Sequence, residues 1–153
     1  MIPARLPAVL LAGTALLGLT ACEKPVPIVS LHVGNTVVHR DAARWCFDLE
    51  AKNCRGSDAT PTMLTVPPGA QVTFDVDKAV VERKWVVVQQ VAGQQQQQGQ
   101  NGGQQSGIQT EHVLAITGPA AGQEVQIALL ALDGKDQPVQ STGRWLFTLV
   151  GKS

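Results

Sequence analysis

Cysteines, histidines and closely spaced acids are the residues of this chain whose types and spacing could do chemistry, and Cys22 gives the sharpest signal. It ends Leu19-Thr20-Ala21-Cys22, directly after a run from Leu6 to Leu19 that is apolar except for Pro7, Gly13, Thr14 and Gly18, with Arg5 the single charge before it. A basic start, a short apolar stretch and a small-residue boundary make a secretion signal. An ending of the Leu-x-(Ala/Gly/Ser)-Cys type predicts that the Cys22 thiol receives diacylglycerol, with acyl chains of the palmitate kind, before cleavage makes Cys22 the first mature residue. Each buried methylene contributes about 0.8 kcal/mol and two chains suffice for stable anchoring. The expected address is the extracytoplasmic face of the cell membrane, reached through lipid. A spanning helix needs about 20 apolar residues, and this run is shorter, broken, and followed at once by Glu23 and Lys24.

With Cys22 acylated, Cys46 and Cys54 are an even pair in an oxidising compartment, so they are expected to be bonded to each other. The bridge closes the short loop Phe47 to Asn53, which the chain-entropy model values at roughly 2.5 kcal/mol. It reads as a staple across a hairpin or turn. Redox chemistry is not indicated, because the spacing is Cys-x7-Cys and no thioredoxin-like βαβ pattern surrounds it.

His32 and His39 fall diagonally on one face if the chain turns between them, within reach of long side chains. Zinc needs three or four ligands with supporting hydrogen bonds, and His112 would have to come from a distant strand, so solvated strand histidines are expected and no metal site is assigned. Asp48 with Glu50, and Asp75 with Asp77, repeat at i, i+2 and could bind a cation or act as acid and base. The commoner role of such acids is the wet face of an antiparallel sheet. No Gly-x-Ser-x-Gly elbow, His-Glu-x-x-His helix, phosphate-cradling glycine loop or EF-hand loop is present. No catalytic residue and no cofactor is assigned, and the chain is expected not to be an enzyme.

The elements that must position these residues read as strands. Ile28 to Val33 and Thr36 to His39 flank Gly34-Asn35, which suits a two-residue type II′ hairpin. Pairing Val33 with Thr36 places Val29, Leu31, Val33 and Val38 on one face, and Ser30, His32, Val37 and His39 on the other. Trp45 to Leu49 and Thr62 to Val66 follow. After Pro67-Pro68-Gly69, Gln71 to Asp77 alternates with Val72, Phe74 and Val76 inward. Lys84 to Val91, Glu111 to Thr117, Glu124 to Leu132 and Gly143 to Val150 complete the set. Gln123 to Leu132 has helix-forming residues, but Val125, Ile127, Leu129 and Ala131 alternate and Asp133-Gly134 follows as a turn signal, so a strand is expected.

Residues 93–107 contain Gly, Gln, Asn and Ser and no apolar side chain. With nothing to bury, the segment is expected to be a disordered surface loop, tolerated because closure entropy grows slowly with length. Its position suggests an expanded hairpin in which Lys84 to Val91 pairs with Glu111 to Thr117.

Short strands separated by Gly, Pro, Asp and Asn clusters predict an all-β domain. Two packed sheets bury such strands, so an immunoglobulin-like antiparallel β-sandwich is expected, with Trp85, Trp145, Phe147 and Leu149 supplying large core side chains. A small β-barrel is the alternative. The organisation is a lipoprotein signal peptide at 1–21, a lipidated spacer at 22–27 stiffened by Pro25 and Pro27, and a single β domain at 28–153. Loss of residues 1–21 removes Arg5 alone from the 12 basic side chains and none of the 12 acidic ones, leaving a nearly neutral chain. Lys and Arg are scattered singly apart from Arg83-Lys84, so nucleic acid is excluded as a partner.

Taken in order, Ala21-Cys22-x-Lys24-Pro25-x-Pro27, Val33-Gly34 with Thr36-Val37-Val38-His39, Cys46 and Cys54, Val76-Asp77, Trp85, and Gly143-x-Trp145-x-Phe147 resemble the domain-of-unknown-function 2771 family of lipoproteins from high-GC Gram-positive bacteria. The resemblance runs along the whole mature chain, and the Gln-rich segment departs from it as an insertion. It implies a cell-surface lipoprotein and carries no catalytic residue or ligand. The expected function is therefore a non-enzymatic binding or structural module that meets an envelope protein or cell-wall component. The alternatives are a solute-binding lipoprotein, or an envelope enzyme using outward His and Asp residues.

Overall fold

The computed structural model describes residues 24–56, 60–93, 103–135 and 140–153. Within them the chain forms β1 (Ile28–Val33), β2 (Thr36–Asp41), β3 (Arg44–Cys46), β4 (Cys54–Arg55), β5 (Thr62–Val66), β6 (Gln71–Val76), a single helical turn α1 (Lys78–Val81), β7 (Trp85–Val91), β8 (Gln104–Gln105), β9 (Val113–Thr117), β10 (Glu124–Ala131) and β11 (Gly143–Gly151). One sheet has the order β2-β1-β6-β9. The other runs β4-β3-β11-β10-β7-β8, with β5 also on β11. The sheets are not closed into a barrel, so the architecture is the expected all-β sandwich. Pairings are antiparallel except for β5, which runs parallel to β11 from Phe147 to Gly151 while β3 takes the same edge at Gly143 and Arg144. The run β11-β10-β7 facing β1-β6-β9, with a buried Trp85 opening β7, follows the strand order of immunoglobulin-like domains.

Alternation puts the core between the sheets. Val29, Leu31, Val72, Phe74 and Val76 from one sheet meet Trp85, Val87, Ile127, Leu129, Trp145, Phe147 and Leu149 from the other, all essentially inaccessible. Phe74 and Phe147 join the layers edge to face, with ring centroids 5.8 Å apart and planes at 65°, a geometry the ring quadrupoles favour. The first hairpin has the expected register, Val33 opposite Thr36 and Leu31 opposite Val38. Its turn places Gly34 at φ +56°, as the first central residue of a type II′ turn requires. Cys46 and Cys54 are bonded to each other and sit opposite one another in the β3–β4 ladder.

Four sequence expectations need correction. β7 and β9 are not partners: β7 lies between β10 and β8, and β9 pairs with β6 in the other sheet. Between them the chain keeps one antiparallel bridge, Trp85 with Gln109, and then crosses layers. The eight-residue β10 offers β7 a longer apolar partner than the five-residue β9, and consecutive strands need not pair in a sandwich.

Part of the segment expected to be a disordered loop is strand. Gln104 and Gln105 pair with Gln89 and Val88, the Ser106 Oγ accepts from the Val87 N–H at 2.9 Å, and the Ser106 N–H donates to the Val87 carbonyl at 2.8 Å. Residues 94–102 lie outside the described residues. Val87 is inaccessible, so Ser106→Ala strands a buried N–H; it is expected to cost about 1–3 kcal/mol, read as a lowered denaturation midpoint in urea.

The strand expected at Trp45 to Leu49 stops at Cys46. Asp48 and Glu50 therefore sit in the disulfide loop and not on a strand face. Finally, α1 replaces the strand's expected end after Val76. Asp77 has extended backbone at the helical N-cap, but its carboxylate turns away and accepts the Ile28 N–H at 2.7 Å.

Candidate functional site

Strand direction gives the sandwich two ends with different chemistry. β1 starts beside the end of β6, and α1, the start of β7, the end of β10, the start of β11 and the β3–β4 hairpin gather at that same end. The Gly34-Asn35 turn, Pro67 to Ala70, Gly118 to Gln123 and the final residues gather at the other. Among the described charged side chains, only Glu124 and Lys152 lie at the second end. All others are at or near the first, which therefore carries both signs, while the described side chains of the far end are uncharged apart from that pair.

At the charged end the side chains form local structure. The Arg83 guanidinium lies 4.1 Å from the centre of the Trp45 ring and donates from Nη1 to the Cys46 carbonyl. Burial lowers the Arg83 pKa from its ordinary value and the nearby Asp48 charge raises it. Arg55 stacks 5.4 Å over Phe47. The Asp48 carboxylate accepts the backbone N–H groups of Lys52, at 2.8 Å, and Asn53. The Lys52 N–H holds the Asp48 carboxyl below the usual carboxylate range; desolvation works against it, and the Asn53 N–H and the Lys52 charge add to the lowering. Lys52 and Glu50 pair at 2.9 Å on the surface, a contact worth little in water. Asp48 thus caps the loop, and Glu50 makes only a surface pair with Lys52.

His32 and His39 sit diagonally on one face of the first hairpin, as expected, and two of the three histidines make local hydrogen bonds. His39 lies opposite Ser30 and its Nδ1 meets the Ser30 Oγ at 2.8 Å. His112 places Nδ1 at 2.9 Å from the Val76 carbonyl, which can only accept, so that nitrogen carries the proton and is not a ligand. His32 borders a surface hollow of about 390 Å³ with Gly34, Pro67 and Gln71. Among the described residues no three His, Cys, Asp or Glu side chains come together as a metal site. Asp75 is an exposed residue of β6, and Asp77 holds the start of β1. Cys22 lies outside the described residues, as do residues 1–23 altogether. Within the described residues no helix is long and apolar enough to cross a membrane.

A second concavity opens between the sheets at the uncharged end, with a volume of about 300 Å³. Its floor is core: Val125, Ile127 and Leu149 are 7%, 2% and 0% exposed. Its polar lining is Gln89, Gln104, Gln123 and Thr117. Gln89 belongs to the inward row of β7, with Trp85, Val87 and Val91, so a carboxamide occupies what alternation makes a core position. That signal was present in the sequence as the break after Val87. Gln104 was hidden in the low-complexity run.

Comparisons with family models, with curated proteins and with solved structures give no match for this chain.

Proposed function

We propose that this chain is a lipid-anchored cell-envelope protein whose sandwich is a non-enzymatic binding module, held on the extracytoplasmic face of the membrane by acyl chains on Cys22. The observation that carries the reading is the closeness of Cys22 to a fold that begins at one end. Residues 23–27 alone separate it from β1, and an extended chain gains at most about 3.6 Å per residue, so the tether is no longer than about 18 Å. β1 starts at the charged end. On this reading that end faces the bilayer, its two signs largely neutralising each other, and the uncharged end with its cleft points outward.

The same reading accounts for the acids and histidines. Asp48, Asp77, His39 and His112 are committed to local hydrogen bonds, which supports a binding role over an envelope enzyme. The partner is an envelope protein or cell-wall component, and the ordered motifs from Ala21-Cys22 to Phe147 support membership of the domain-of-unknown-function 2771 family. Cys22→Ala tests the anchor. It is expected to move the protein from the membrane fraction to the soluble or secreted fraction in cell fractionation, and full retention in the membrane contradicts the reading.

A further inference from the structure

We propose that the cleft between the sheets at the uncharged end is a binding site for an uncharged ligand with an aliphatic tail and a hydroxyl or amide head. The proposal deepens the binding-module reading and rests on it, but it is independent of how the chain is anchored.

Three features select the ligand class. The floor, Val125, Ile127 and Leu149, belongs to the sandwich interior and is wholly aliphatic. An apolar group entering there loses water contact without meeting a polar atom, which is the favourable direction of transfer. Among the described residues no aromatic ring lines the cleft, so they offer no stacking platform for a nucleobase or other flat ring. The volume, about 300 Å³, has room for about ten groups the size of a water molecule and sits at the small end of ligand sites. A chain of about eight carbons fits it.

The lining sets the charge. Gln89, Gln104 and Gln123 present carboxamides, and among the described residues no ionisable side chain lines the cleft. The Gln123 Oε1 accepts from the Ala120 N–H at 3.1 Å, which fixes the sense of that carboxamide. Carboxamides satisfy a hydroxyl or amide as both donor and acceptor. An ion carried into this place would lose hydration, and none of the described side chains that line it offers a counter-charge. Gln89 is the telling residue: at an inward position of β7 a Val or Leu would close the interior, whereas a carboxamide keeps a polar group where a ligand head would need one.

The test is titration of the 15N-labelled full chain with 1-octanol and with octanoate at neutral pH, followed by NMR. Octanol is expected to give saturable shifts at the Gln89, Gln104 and Gln123 carboxamides and at the Ile127 and Leu149 amides, with octanoate at least tenfold weaker. Gln104→Trp, directly opposite the inward Gln89, places an indole at the mouth and is expected to weaken octanol at least tenfold. Gln123→Trp, in the loop before β10, gives the same readout should the first variant not fold. Absence of saturable shifts overturns the proposal, as does octanoate binding equal to octanol, or unchanged octanol affinity in a folded Trp variant. None of these outcomes bears on Cys22, so failure here is separable from failure of the anchor.

Discussion

Trp85→Ala is expected to remove about 3–5 kcal/mol of stability, the cost of truncating a large aromatic in a close-packed core. Against a total of about 5–15 kcal/mol for a single domain, this brings the fold near its unfolding threshold. Trp85 has no accessible surface and opens β7, next to Ala131 of β10 on one side and bridged to Gln109 on the other. Its indole N–H also donates to the Glu111 carbonyl at 2.9 Å, tying the segment that crosses from one sheet to the other. Alanine therefore leaves a cavity and removes the donor that this carbonyl meets. Urea denaturation followed by tryptophan fluorescence of Trp45 and Trp145 reads the loss. A change below about 1 kcal/mol would mean that Trp85 is not part of the core.

Gly151→Ala is the second large effect, and its cause is overpacking. A methyl group built on Gly151 would lie 1.8 Å from the Ala120 carbonyl oxygen and 2.7 Å from its carbon. These are backbone atoms, so no side chain can swing aside. Relief requires moving β11 or the turn before β10, where Gly151 accepts from the Gly122 N–H and donates to the Gln123 carbonyl, each at 2.9 Å. Overpacking costs about 1–3 kcal/mol, and weakening those two bonds adds about 1 kcal/mol each, so about 3 kcal/mol or more is expected from the urea midpoint. Gly107→Ala is the control. Its added methyl meets nothing within 4 Å, and its effect is expected to stay within about 0.5 kcal/mol.

The strands that were legible in the sequence are those whose inward row is long enough to show a period. Val72, Phe74 and Val76 in β6, and Val125, Ile127, Leu129 and Ala131 in β10, alternate over six and eight residues. In β10 that alternation correctly outweighed helix propensity. Two-residue strands have no period, which is why β4 and β8 went unseen. Pairing is a property of the whole fold: whether β7 takes β9 or β10 depends on which apolar face is longer, and neither segment encodes that alone.

The disulfide was legible because assigning Cys22 to lipid leaves Cys46 and Cys54 as an even pair. The cap beneath it was less so, since Asp48 reads equally well as a strand residue until Lys52 and Asn53 turn their N–H groups toward it. Arg83 stands out in the sequence only as half of the Arg83-Lys84 pair, and only tertiary packing sets it over Trp45. Segregation of charge to one end was invisible in the linear order, because strands running in opposite directions bring distant charges together. The cleft was half visible: Gln89 interrupts an apolar row, but its meaning required β9, β10 and β11 around it.

The proposed anchoring rests on Cys22, and one measurement reaches it directly: mass spectrometry of the N-terminal peptide of the protein extracted from its own membranes. The predicted result is a mature chain beginning at Cys22, with a diacylglyceryl group on its sulfur and residues 1–21 gone. A mature chain with a free Cys22 thiol, or one that still carries the apolar run from Leu6 to Leu19, would contradict it.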